Sequence, residues 1–229
     1  MAATPQKTQT DARAQAPGIE SGSFARDPAT GDESVSEVDG ETDLSPARLV
    51  VATYNIRYAV GSHLIGGSLL RRAGLGRPAR RPRLVESNIR KAARILSDGV
   101  SLPRADVVAI QEADRGTVRA GGHHVARELA RELRMNFARA HVPTPADVEP
   151  RDRKWWLDFE ERIGVGEAGD TGVAILSRLP IADASRIELP WSVCPWRPRL
   201  AVSASVPLAG RMLHVFNSHI DTHASVEGQ

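Results

Sequence analysis

Glu112 and Asn55 close two apolar runs, and their side chains suit chemistry on a phosphoester. Hydrolysis of such a bond takes a hard cation on the phosphoryl oxygens, an oriented water, and donors for the charge that builds on phosphorus. Mg2+ prefers oxygen ligands and takes only one or two carboxylates from a protein, a task that Glu112, exposed after Gln111, can meet. Asn55 offers an amide that accepts and donates hydrogen bonds without adding charge beside the carboxylate. Each also has a plainer reading, as a solvated strand-end carboxylate and a turn or capping amide. His219 alternates with Asp221 and His223, so all three could face one way along a strand and bind Zn2+. Arg197 and Arg199 come just before the run that starts at Leu200, where a guanidinium suits a phosphate oxygen or remains a surface charge.

These side chains need elements to hold them. Leu49 to Ile56 is almost continuously apolar and rich in β-branched residues, the pattern of a strand buried on both faces. Val85, Ile89, Ala92 and Leu96 recur at helical spacing, and Gly99 marks the stop. Ala105 to Ile110 reads as a second buried strand. Strand, helix and strand in that order make a crossover unit whose strand ends open toward one edge, which predicts Asn55 and Glu112 as neighbours. Further on, His124 to Met135 reads as a helix and Phe137 to His141 as a short strand. The stretch from Val142 to Asp170 reads as a long surface excursion. Three more strands follow at Gly172 to Ser177, Leu200 to Val206 and Met212 to Asn217, the last two joined as a hairpin across Ala209-Gly210.

Four short motifs run in order along the chain: Thr53-Tyr54-Asn55-Ile56-Arg57, Gln111-Glu112, Gly172-Val173-Ala174-Ile175-Leu176-Ser177-Arg178, and Asn217-Ser218-His219-Ile220-Asp221. Together they resemble the first half of the endonuclease/exonuclease/phosphatase superfamily of metal-dependent phosphoesterases. The resemblance implies a layered α+β sandwich of two β-sheets flanked by helices. It implies Glu112 as principal ligand of Mg2+, or of Mn2+ in its place, with Asn55 orienting the metal-bound groups. It also implies His219 as a hydrogen-bond donor to the scissile phosphate and gives Gly172 to Arg178 a structural role. The substrate expected is a phosphoester of a nucleic acid, a phosphorylated sugar or a lipid headgroup. The superfamily's later Gly-Asp-Phe-Asn and Ser-Asp-His motifs have no counterpart before Gln229. The expectation is therefore a sandwich incomplete at its C-terminus, with weak or no activity, an uncovered apolar face and low solubility. The alternative is a non-catalytic remnant of the fold that binds phosphate or a partner.

Composition sets the frame for this. The 229 residues suit one domain, read as 47–229, preceded by a tail. Residues 1–46 hold nine acidic residues against three basic ones and no apolar run that would offset the entropy of ordering them, so they read as disordered. The chain's formal net charge of +2 then leaves the body basic. Arg71, Arg72, Arg77, Arg80, Arg81 and Arg83 crowd a Gly- and Pro-punctuated stretch, Gly66 to Pro82, that reads as a solvated loop or a phosphate contact. The four tryptophans, Trp155, Trp156, Trp191 and Trp196, read either as residues that line a pocket or stack on a base or as core and satellite-cluster residues. No stretch resembles a signal-peptide core or membrane span, and Cys194 is the single cysteine, which points to a cytoplasmic protein without an intrachain disulfide.

Overall fold

The computed structural model describes residues 18–24, 48–60, 80–143, 169–189 and 200–219. Within them, two helices and two sheets form an α+β sandwich. The strands are β1 (Ile19–Ser23), β2 (Val51–Asn55), β3 (Val107–Gln111), β4 (Asn136–Pro143), β5 (Asp170–Ser177), β6 (Asp183–Glu188), β7 (Leu200–Leu208) and β8 (Arg211–Ser218). The helices are α1 (Arg80–Ser97) and α2 (Val125–Leu133), and a 3-10 turn spans Arg57–Ala59. Five strands form one sheet in the order β1-β4-β5-β3-β2, and three form the other in the order β6-β7-β8. β2 and β3 run parallel with α1 between them in sequence, as the crossover pattern predicts. The remaining strand pairs of both sheets are antiparallel.

Period-two alternation divides the apolar residues of the larger sheet between two cores. Val108, Ile110, Phe137, Ala174 and Leu176 face the helices and pack with Val85, Ile89, Leu96, Leu129 and Leu133. Val107, Ala138, Ala140, Val173 and Ile175 face the smaller sheet and pack with Leu200, Val202 and Ala204. Helices, large sheet and small sheet are thus three layers around two apolar seams. β3 lies inside the sheet, and all five of its residues are buried.

Local sequence accounts for the element ends. Pro82 sits in the first turn of α1, where its missing N–H costs no helical bond. Gly99, at φ +68°, follows the last turn. His124 caps α2 by accepting from Arg127 N at 3.2 Å, and Glu128 Oε1 accepts in return from His124 N at 3.1 Å. Ala209 and Gly210, at φ 47° and 75°, make the two-residue turn of the β7–β8 hairpin with the left-handed backbone such turns need.

Three expectations change. β2, expected to be buried on both faces, is an edge strand: Val51 is 55% and Tyr54 40% exposed. An apolar run looks the same at the edge and the interior of a sheet, and here β3 took an interior place between β5 and β2. Ile19–Ser23, expected within a disordered tail, pairs over five residues with β4. The basic stretch is helical from Arg80 onward, so Arg81 and Arg83 lie on the first turn of α1. β6 had no counterpart in the sequence reading, because its half-exposed residues carry no clear alternation. Residues 1–17 and 25–46 of the tail, Arg71, Arg72, Arg77, residues 144–168 of the expected excursion, the four tryptophans and Cys194 lie outside the described residues.

Charge, more than apolar area, holds β1. Ile19 is its one buried side chain. Glu20 accepts from His124 Nε2 at 3.0 Å and lies 3.5 Å from Arg115 Nη1. The His124 hydrogen bond, with the nearby His124, Arg115 and Arg139 charges, outweighs partial burial and lowers the Glu20 pKa to about 2. Behind it, Asp170 accepts from Arg115 and from the fully buried Arg139. Burial pushes the Arg139 pKa down against the pull of Asp170, and burial likewise lowers that of His141. At the strand's end Phe24 stacks on Phe137 with centroids 6.1 Å apart. Gly22 leaves room for that ring, since a Cβ there would lie 2.7 Å from Phe137 Cε1.

Among the described residues no helix is long and apolar enough to cross a membrane.

Candidate functional site

Asn55 and Glu112 meet because parallel pairing sets Asn55 opposite Gln111, the residue before Glu112. Asn55 Nδ2 donates to Glu112 Oε1 at 3.0 Å. The amide's other end is fixed as well, since Arg57 N donates to Asn55 Oδ1 at 2.9 Å. With Oδ1 committed to a backbone N–H, the Asn55 side chain presents its NH2 to the carboxylate. Glu112 sits at φ 56°, a left-handed conformation that costs a non-glycine residue on the order of 1 kcal/mol or more. Its carbonyl accepts from Tyr58 N at 3.2 Å, which ties the two strand ends together a second time.

His219 enters from the smaller sheet, one residue past β8, with Nε2 3.7 Å from Glu112 Oε1. Asn217, two residues earlier, brings it there. Asn217 is 4% exposed and fills its hydrogen-bonding capacity across the sandwich. Its Oδ1 accepts from Gln111 Nε2 at 2.6 Å, and its Nδ2 donates to Ile110 O at 2.8 Å and Ala174 O at 2.9 Å. Gln111 Nε2 also donates to Thr53 Oγ1 at 3.2 Å, so one buried amide pair links β2, β3, β5 and β8. Buried polar groups satisfied this fully fix the register of the sheets more than they add net stability.

The strand ends therefore bring together Asn55, Glu112 and His219. Arg197, Arg199, Asp221 and His223 lie outside the described residues. Among the described residues there is no group of three or more His, Cys, Asp or Glu side chains able to hold a metal ion. A cation that keeps several waters needs no such group. Glu112 is partly exposed, its Oε1 is braced by the Asn55 NH2, and a single carboxylate completed by water oxygens suits Mg2+, with Asn55 orienting the carboxylate and its amide oxygen turned to Arg57 N. The donor set fits a hard cation better than Zn2+, which wants nitrogen and sulfur ligands at tetrahedral spacing.

Two further features of this end had no role assigned from the sequence, although Arg57 closes the first motif. Arg57 is exposed on the turn that follows Asn55. Beneath that turn, Asp114 and Arg119 form a buried ion pair, with Arg119 Nε 2.5 Å and Nη2 3.0 Å from the Asp114 carboxylate. The Asp114 hydrogen bond and charge offset the desolvation of Arg119 and raise its pKa, and Tyr58 and Glu112 add to the effect.

No family model and no curated protein matches this chain. Solved structures similar to it include an endonuclease/exonuclease/phosphatase family protein from Leptotrichia buccalis, 13% identical with a TM-score of 0.44 over 76% of this chain and 55% of that one. Sphingomyelinase C from Streptomyces griseocarneus is 19% identical, with a TM-score of 0.34 over 60% of this chain and 44% of its own. The human Nocturnin catalytic domain, solved with a bound sulfate anion, is 16% identical, with a TM-score of 0.32 over 58% and 43% of the two chains. This chain spans about half the length of these structures.

Proposed function

We propose that this protein is a Mg2+-dependent phosphoesterase of the endonuclease/exonuclease/phosphatase type. The observation that supports the reading most is the Asn55–Glu112 hydrogen bond at 3.0 Å, with His219 Nε2 3.7 Å from the same carboxylate oxygen. Glu112 would hold the cation, with Mn2+ able to replace Mg2+. A bound cation would supply charge neutralisation at the phosphoryl oxygens and Lewis acidity toward the attacking water. Asn55 holds Glu112 in one rotamer, and Arg57 N holds Asn55. His219, with Nε2 3.7 Å from Glu112 Oε1, would donate a hydrogen bond to a phosphate oxygen lying over Glu112. Arg197 and Arg199 precede β7 and are the candidates for a second phosphate contact.

The substrate is a phosphoester of a nucleic acid, a phosphorylated sugar or a lipid headgroup. The test is hydrolysis of one representative of each class with Mg2+ present, comparing the unmodified chain with Glu112→Ala and His219→Ala. Turnover of one class that Glu112→Ala lowers by about 100-fold or more supports the reading. Equal rates in the two chains would overturn it. Mg2+-dependent binding of inorganic phosphate without turnover would instead favour a phosphate-binding protein on the same fold.

A further inference from the structure

The turn after Asn55 has a backbone that needs an explanation. Arg57, Tyr58 and Ala59 have φ of 49°, 55° and 59°, and none is glycine. A run of such residues persists only where its surroundings hold it, and backbone of this kind gathers at functional sites. Several contacts hold this one, four of them to groups outside its own backbone ladder. Tyr58 N donates to Glu112 O, and Arg57 N donates to Asn55 Oδ1. Asn88 Nδ2, on α1, donates to Ala59 O at 2.9 Å. The buried Tyr58 ring lies under the Arg119 guanidinium, 3.7 Å from centroid to Cζ.

Arg119 is itself fixed. Asp114, fully buried, accepts from its Nε and Nη2, and Thr117 Oγ1 donates to the same carboxylate at 2.7 Å. Asp114 N in turn donates to Glu112 O at 3.2 Å. The chain of contacts therefore closes on itself, from Glu112 through Asp114, Arg119 and Tyr58 to the turn, and from the turn through Asn55 back to Glu112. A buried ion pair is a poor means of adding stability and is best attested as a means of specifying one arrangement. Here the arrangement it specifies contains the two residues at the centre of the candidate site.

We infer that Asp114, Arg119 and Tyr58 form a clamp of positioning residues that holds the left-handed Arg57–Ala59 turn and through it sets the orientation of the Asn55 amide against Glu112. The inference rests on the phosphoesterase reading for what the orientation serves, but its geometry stands apart from that reading. All three residues of the clamp are buried. Its effect is transmitted by one backbone N–H, that of Arg57, which decides which end of the Asn55 amide faces the carboxylate.

The test uses the full chain, labelled with 15N and free of metal, and follows the Asn55 side-chain amide, identified by its loss in Asn55→Ala. In the unmodified chain this amide is held at both ends and its protons exchange slowly with water. In Tyr58→Leu, which removes the ring and leaves the Asp114–Arg119 pair in place, the signal moves toward that of a free amide and exchange quickens by about tenfold or more. Tyr58→Phe, which keeps the ring under the guanidinium, departs from the unmodified chain less than Tyr58→Leu does. If Tyr58→Leu does not fold, Arg119→Lys retains a charge for Asp114 without the planar face, and it gives the same shift. With Mg2+ and the substrate class that the chain turns over, Tyr58→Leu lowers kcat by about tenfold while KM stays within about threefold. A folded Tyr58→Leu or Arg119→Lys chain whose Asn55 amide is unchanged in shift and exchange overturns the inference. The amide readout needs neither cation nor substrate. Loss of the phosphoesterase reading, seen as indifference of turnover to Glu112→Ala, therefore remains a separate result.

Discussion

Gln111 Nε2 donates to Asn217 Oδ1 at 2.6 Å across the two sheets, joining residues 106 positions apart in sequence. The same Asn217 donates to two backbone carbonyls of the larger sheet. Replacing it with Leu takes one partner from the Gln111 amide, which keeps its bond to Thr53 Oγ1, and one from each of those buried carbonyls. Unpaired buried groups cost about 1–3 kcal/mol each, so Asn217→Leu is expected to lower unfolding stability by about 3 kcal/mol. Urea denaturation reads this as a lower midpoint at constant slope. A loss under about 1 kcal/mol would mean that the amide pair does not tie the sheets together.

Gly172, first residue of the Gly-Val-Ala-Ile-Leu-Ser-Arg segment, is glycine for a steric reason. A Cβ at this position would lie 2.2 Å from Ala140 O, a backbone atom of the neighbouring strand. The neighbour cannot move without opening the β4–β5 ladder, so Gly172→Ala is expected to cost about 2 kcal/mol or more. Thermal unfolding measures it, and an unchanged midpoint would refute the close approach.

Acid acts on β1 through Glu20. Its folded pKa of about 2 lies below its ordinary value of 4.5, so its contribution to stability is complete above 4.5 and is lost as pH falls through 2. The unmodified chain is expected to lose stability between those values, and Glu20→Gln, already lacking the charge, to lose less over the same interval. Unfolding midpoints of both chains at pH 5 and at pH 2.5 give the comparison. Parallel losses would show that Glu20 does not hold the strand by charge.

The parts of the fold carried by apolar periodicity were legible in the sequence. Val85, Ile89, Ala92 and Leu96 read as one helix face and pack as one. The parallel β2–α1–β3 unit followed from its order, and with it the meeting of Asn55 and Glu112. Features held by charge were not legible. Ile19–Ser23 has a single buried apolar residue, and its attachment depends on Glu20 finding His124 about a hundred residues away, which no local pattern encodes. Arg119 looks in sequence like any surface arginine, and its burial over Tyr58 comes from Asp114 and from a left-handed turn that sequence does not announce. The exposure of Val51 and Tyr54 was hidden for another reason, because position within a sheet is decided by strand order and not by the strand's own residues.

Glu112 as cation ligand is the claim on which the functional account turns. The most direct test is a titration of the full chain with Mn2+, counting free ion by its paramagnetic resonance signal, with Mg2+ as competitor, for the unmodified protein and Glu112→Gln. The account predicts one site in the unmodified protein that Mg2+ displaces and an affinity about tenfold or more weaker in Glu112→Gln, since the variant keeps the shape of the side chain and removes its charge. Equal Mn2+ affinity in the two chains would contradict it.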